Sequence, residues 1–150
     1  MLKDRLDQDL KAALLAGNKT LATTLRGLKS VILYAEVAAG SRDKGLSDEE
    51  IVALFAKEVK KRQESADLYK QGGDETRASA ELEEKRVIES YLPKQLSDEE
   101  LAEVVDRVIS QVGQSGPQAM GQVIGQVKQQ TTGQADGARI AQLVRQRLEK

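Results

Sequence analysis

A chain of 150 residues with 39% hydrophobic and 31% charged residues and a net charge of −1 fits one domain or two small ones. It holds neither cysteine nor histidine, which excludes disulfides, thiol catalysis, zinc fingers and every serine–histidine or cysteine–histidine mechanism. Any catalysis would rest on carboxylates, lysines or tyrosines, so the inventory speaks against an independent enzyme. It shows no cofactor-binding or metal-ligating pattern.

Aromatics are confined to Tyr34, Phe55, Tyr69 and Tyr91. No apolar run approaches the ~18 residues of a membrane span. The N-terminal "MLKDRLDQDL" carries acids throughout and has no apolar core of a signal peptide. A cytoplasmic location without membrane contact is the expectation.

Helical periodicity sets the organisation, and an all-α fold is predicted. Leu2, Leu6, Leu10 and Leu14 form a first stripe that Gly17 ends. Asn18 caps a second helix with Leu21, Leu25, Leu28 and Ile32, closed by Gly40 after Ala39. The string "LSDEE" then occurs twice, at 46–50 and 96–100. Each copy reads as a capping box, with Ser47 and Glu50, or Ser97 and Glu100, exchanging bonds at a helix start.

The third helix spans about 48–71 and stops at Gly72 and Gly73. The fourth runs from Asp74 to Leu92, where Pro93 ends it. We therefore expect an N-terminal domain of about four helices over 1–92 and a C-terminal three-helix bundle over 93–150. Within the second, one helix follows Ser97 to Gly113, another opens at Pro117, and the last follows Asp136 as cap.

Charge is uneven along the chain. From 107 to 150, six bases (Arg107, Lys128, Arg139, Arg145, Arg147, Lys150) face two acids (Asp136, Glu149), giving +4, and the first 106 residues carry the compensating −5. On the third helix, "KEVKKR" forms a basic cluster for which a solvated face is the simpler reading. Glu81, Glu83 and Glu84 form an acidic run of the same kind. Glu84 and Tyr91 are seven apart, a spacing that can put them on one face, for which a structural hydrogen bond is a simpler reading than catalysis.

The segment "MGQVIGQVKQQTTGQADG" at 120–137 raises the functional question. A glycine inside a helix costs about 1 kcal/mol relative to alanine, so Gly121 and Gly125 together cost about 2. At 100° per residue they align with Lys128, beside the apolar side formed by Met120, Val123, Ile124 and Val127. Two readings remain open. Either a neighbouring helix approaches the glycines closely, or they form a flat, basic-edged surface for a phosphate–sugar backbone. The turn with Gly133 and Gly137 leads into a helix start whose free amides suit a phosphate.

The segments "ELEEKRVIESYLPKQLSDEELAEVV", "MGQVIGQV" and "GQADGARIAQLVRQRL" resemble the YqeY family of GatB/YqeY-like proteins. Upstream, "LRGLKSVILYAEV" and "LSDEEIVALFAKEVKKRQESADLYKQGG" are similar to it as well, so the likeness covers nearly the whole chain. The combination of Glu84, "YLP" at 91–93, "MG" at 120–121 and "ADG" at 135–137 carries it.

The resemblance implies a two-part helical protein whose C-terminal part is similar to the GatB tail of glutamyl/aspartyl-tRNA amidotransferase. Related modules are appended to some glutaminyl-tRNA synthetases. By association it implies carbon–nitrogen ligase chemistry with glutamine as amide donor, carried out elsewhere than in this tail. The expected partners are tRNA and an aminoacyl-tRNA synthetase or amidotransferase. The expected RNA-binding residues are Gly121, Gly125, Lys128, Gly133, Gly137, Arg139 and Arg145. Where the family often has lysine or arginine, this chain has Gln122 and Gln134, which keep hydrogen bonding and lose two charges. The alternative is a helical protein-interaction adaptor that does not bind RNA.

Overall fold

The computed structural model describes residues 1–113 and 116–149. Among these there is no strand. Seven α-helices follow in order: α1 (Leu2–Leu15), α2 (Lys19–Ala38), α3 (Asp48–Gln71), α4 (Glu75–Glu89), α5 (Asp98–Val112), α6 (Met120–Gln130) and α7 (Gly137–Leu148). A 3-10 turn, Pro117–Ala119, precedes α6. The protein is all-α, and it divides into two compact units, Met1–Leu92 and Pro93–Lys150.

In the first unit, α1 and α2 form an antiparallel hairpin. Lys3 meets Glu36 at 2.7 Å and Lys29 meets Asp7 at 2.7 Å. Leu6, Ala13, Leu25, Leu28 and Ile32 from this hairpin pack with Ile51 and Phe55 of α3 and with Ile88 and Tyr91 from the end of α4. The spacing-four leucine stripe of α1 does not stay in the core. Leu6 is buried, but Leu14 is half exposed and Ala13 takes its place, because residues four apart drift about 40° per step on a 3.6-residue helix.

Glu36 is buried at 4% exposure, an expensive position for a carboxylate without partners. It has them: Lys3 Nζ donates to Oε2, and so does the Leu46 backbone N–H at 3.1 Å. The bond from Lys3 is the largest influence holding the Glu36 carboxyl below its usual range. Gly45 makes this loop possible. Its φ is +78°, and a β-carbon there would stand 3.3 Å from Glu36 Oε2.

Helices α3 and α4 form a second hairpin, whose outer part is held differently. Ala66 and Ala78 are buried there, outside the main apolar cluster, so the helices meet through small side chains. Around them Arg62 stands 3.0 Å from Glu84, 3.7 Å from Glu58 and 3.8 Å from Glu81, while Lys85 donates to Gln63 at 2.8 Å. Burial is the main cause that raises the Glu84 carboxyl above its ordinary range, against the pull of Arg62. Glu84 thus pairs with Arg62. Tyr91 turns instead to Asp9, so a Glu84–Tyr91 bond is not the one formed.

The repeated "LSDEE" gives two different caps. Ser97 and Glu100 form the full reciprocal box. Ser47 Oγ accepts from the Glu50 N–H, but its hydroxyl donates to the Glu50 carboxylate, and the backbone half of the box is missing. Asp48 instead accepts from the Leu2 N–H at 3.1 Å and so caps α1 from a distance. Helix α4 ends at Glu89, before the expected Leu92, because Ser90, Tyr91 and Leu92 donate three residues back in tighter turns ahead of Pro93.

Candidate nucleic-acid interface

The second unit is a bundle of α5, α6 and α7 around Leu101, Val105, Val108, Ala119, Val123, Val127, Ile140 and Val144. Each helix starts for a local reason. Ser97 caps α5 and Asp136 accepts from the Ala138 N–H at the head of α7, while Pro117 opens the tight turn that leads into α6.

Gly121 and Gly125 lie on the exposed side of α6. A β-carbon added at either would find nothing within 4 Å. This speaks against the packing explanation for the glycines, since among the described residues none uses the space that they leave. Their helix cost, about 2 kcal/mol for the pair, is not offset by intramolecular contact. The exposed side also carries Gln118, Gln122, Lys128, Gln129 and Thr132. No acidic residue occurs between Asp106 and Asp136.

Lys128 links this side to α7. A β-carbon on Gly137, the first residue of that helix, would stand 3.2 Å from Lys128 Cε and 3.4 Å from its Nζ. The ammonium group therefore rests against the start of α7, where Asp136 takes the Ala138 N–H. Gly121, Gly125, Lys128 and Gly137 form one surface.

The other sequence candidates are placed elsewhere. Gly133 is buried with φ +76°, and its carbonyl accepts from Gln95 Nε2 at 2.6 Å. It shapes the turn and has no open face. Arg139 donates to Asp98 at 2.8 Å and to the Leu96 carbonyl at 2.8 Å. Its guanidinium is thus committed within the bundle. Arg145 is exposed, makes no ion pair among the described residues, and lies about 120° around α7 from Arg139.

Sequence reading missed Gln95 and the internal role of Gln134. Gln134 Nε2 donates to the Lys94 carbonyl at 3.2 Å, and its own carbonyl accepts from the Leu96 N–H at 2.9 Å. Segment 94–97 is strapped to the 133–134 turn in this way. No local signal marks the pairing, which joins residues about 40 apart.

Charge in this unit is polarised. Seven bases and seven acids cancel over 93–150, but five of the acids (Asp98, Glu99, Glu100, Glu103, Asp106) sit on α5. Among the described residues no group of carboxylates is arranged to hold a metal ion, and no helix is long and apolar enough to cross a membrane.

Fold and site together define an all-α, two-unit protein with a glycine-bearing face on its C-terminal bundle, acid-free along α6 and bordered by the exposed Asp136 at the head of α7. The chain belongs to the YqeY family: the family model, described as Yqey-like protein, matches residues 3–148. It is 34% identical over 109 residues to a protein of Eremothecium gossypii named altered inheritance of mitochondria protein 41, mitochondrial, covering 71% of this chain and 58% of that one. It is 31% identical over 130 residues to a protein of the same name from Kluyveromyces lactis, covering 84% of this chain and 69% of the relative. This chain therefore spans between about half and two thirds of these relatives' lengths.

Proposed function

We propose that this protein is an accessory tRNA-binding module related to glutamine-dependent tRNA amidotransferase, working beside a synthetase or amidotransferase that performs the chemistry. One observation carries the reading. Gly121 and Gly125 weaken α6 without serving any contact among the described residues, on a side of that helix that holds Lys128 and no acid. Bare backbone beside a lysine and a helix start fits the phosphate–sugar surface of a folded RNA, which needs close approach and no base reading. The resemblance of the C-terminal part to the GatB tail of the amidotransferase points the same way, and any carbon–nitrogen ligase role is by family association. We take the cytoplasm as the compartment, the mitochondrial location being said of the fungal relatives.

The reading assigns a contact set. Gly121, Gly125, Lys128 and Gly137 would meet RNA directly and Arg145 at an edge, whereas Gly133 and Arg139 would shape the surface from within. Five of the unit's seven acids lie on α5, so the binding depends on which side of the neutral bundle meets the RNA.

The test is fluorescence anisotropy of labelled tRNA against the full chain at several salt concentrations. The reading expects affinity that falls steeply with salt, and a loss of roughly tenfold, about 1.4 kcal/mol, for Gly121→Ala with Gly125→Ala. Absence of binding at low salt would overturn it. The adaptor alternative draws on a different feature, the exposed Leu33, Tyr34 and Val37 on α2, at 44%, 73% and 56% exposure.

A further inference from the structure

The α3–α4 hairpin gathers three carboxylates around one arginine and leaves three lysines on its surface, with the exposed Glu64 one turn on from Lys60 and Lys61. Its carboxylates Glu58, Glu81 and Glu84 gather around Arg62. Lys57, Lys60 and Lys61 stand on the outer surface of α3, all exposed and within little more than one helical turn. Lys57 and Lys60 form no ion pair among the described residues, and Lys61 has only Glu58 at 3.4 Å, a carboxylate it shares with Arg62. Lys57 and Lys61 are a like-charged pair four residues apart, which weakens a helix. Beyond the Lys61–Glu58 contact, Lys57 and Lys60 serve no ion pair among the described residues.

We propose that Lys57, Lys60 and Lys61 form a second, sequence-independent contact for the phosphate backbone of RNA. The proposal rests on the RNA reading above for the identity of the partner, and on the α3 face alone for its place. Phosphate is favoured over an acidic protein by what the face lacks. No large exposed hydrophobic residue occurs between Val37 and Leu68, so it offers none of the apolar or aromatic anchors on which protein interfaces depend. Clustered ammonium groups without anchors bind by releasing counterions from a polyanion.

The experiment uses the full chain with Lys57→Gln, Lys60→Gln and Lys61→Gln combined. Circular dichroism serves as the fold check, since all three side chains are exposed. Three lost phosphate contacts are expected to reduce the slope of log affinity for tRNA against log salt by about 2–3. An unchanged slope, with wild-type binding intact and still sensitive to the α6 glycines, would overturn this contact and leave the RNA reading standing. Absence of tRNA binding by the wild-type chain would overturn both. Binding of poly-L-glutamate that the triple variant loses, with the salt slope for tRNA unchanged, would overturn the phosphate assignment in favour of an acidic polypeptide.

Discussion

Arg139 on α7 holds Asp98, in the first turn of α5, at 2.8 Å and the Leu96 carbonyl at the same distance, so one guanidinium joins the ends of two helices. The two bonds differ in weight. Asp98 is 87% exposed, and exposed pairs contribute about 0.2–1 kcal/mol, whereas a charged bond to a partly buried carbonyl contributes about 1.5–3. We expect Arg139→Ala to destabilise the C-terminal unit by about 2 kcal/mol and Asp98→Ala by under about 1. Urea denaturation of both variants checks the order, and a larger loss for Asp98→Ala would reverse the assignment.

The α6 glycines give a prediction of opposite sign. Because open space surrounds both, Gly121→Ala and Gly125→Ala should each stabilise the protein by about 1 kcal/mol. Thermal unfolding reads this directly. A fall in melting temperature would mean that the positions are packed after all.

Gly137→Ala separates placement from stability. The new methyl group would press on Lys128 Cε at 3.2 Å, and an exposed lysine tail can move aside. Stability should change by less than about 0.5 kcal/mol, the usual range for surface substitutions. The salt slope of tRNA binding should drop by about 1, as for the loss of one phosphate contact.

Tyr91 predicts an alkaline limb. Its hydroxyl donates to Asp9, its ring packs edge-on against Phe55 at 5.9 Å, and the Arg5 guanidinium lies 4.4 Å from its centre. Burial first, then the bond to Asp9, pushes the phenol above its ordinary value of 10.0. The folded state then binds the proton more tightly than the unfolded chain. Stability from this group is complete below pH 10 and is lost as pH rises beyond it. Tyr91→Phe should cost about 1 kcal/mol at pH 7 and flatten the decline between pH 9 and 11 relative to wild type, measured by denaturation at each pH.

The outer α3–α4 hairpin should yield to loss of Arg62. Arg62→Ala leaves Glu58, Glu81 and Glu84 facing one another without their shared cation, beside only Ala66 and Ala78 as buried contact. Amide exchange across 62–84 should quicken by at least tenfold, about 1.4 kcal/mol, while amides around Leu28 and Ile32 keep their protection. Uniform acceleration over the whole unit would contradict an independently opening hairpin.

What could be read from the sequence was whatever neighbouring residues decide among themselves. Asn18, Ser47, Ser97 and Asp136 cap the helices that follow them, and Val123 and Val127 face the core. What escaped depends on partners far along the chain. Glu36 and Glu58 are acids that patterning would leave in water, yet both are buried against cations. Ala66 and Ala78 carry no hydrophobic stripe, yet they form a helix contact. In the candidate site, the alignment of Gly121, Gly125 and Lys128 was legible because one helix fixes it. The commitment of Arg139 to Asp98 and the burial of Gly133 were not, because both depend on how α5, α7 and the turn before α7 meet.

The strap formed by Lys94, Gln95 and Leu96 bears on where the C-terminal unit begins. Its first helix starts at Asp98, but four bonds tie the preceding residues to Gly133, Gln134 and Arg139. A gene fragment cut at codon 98 would keep all three helices and leave the carbonyl of Gly133, the side-chain amide and backbone carbonyl of Gln134 and half the grip of Arg139 without partners. Cut at codon 93, the same bundle would carry its own seal.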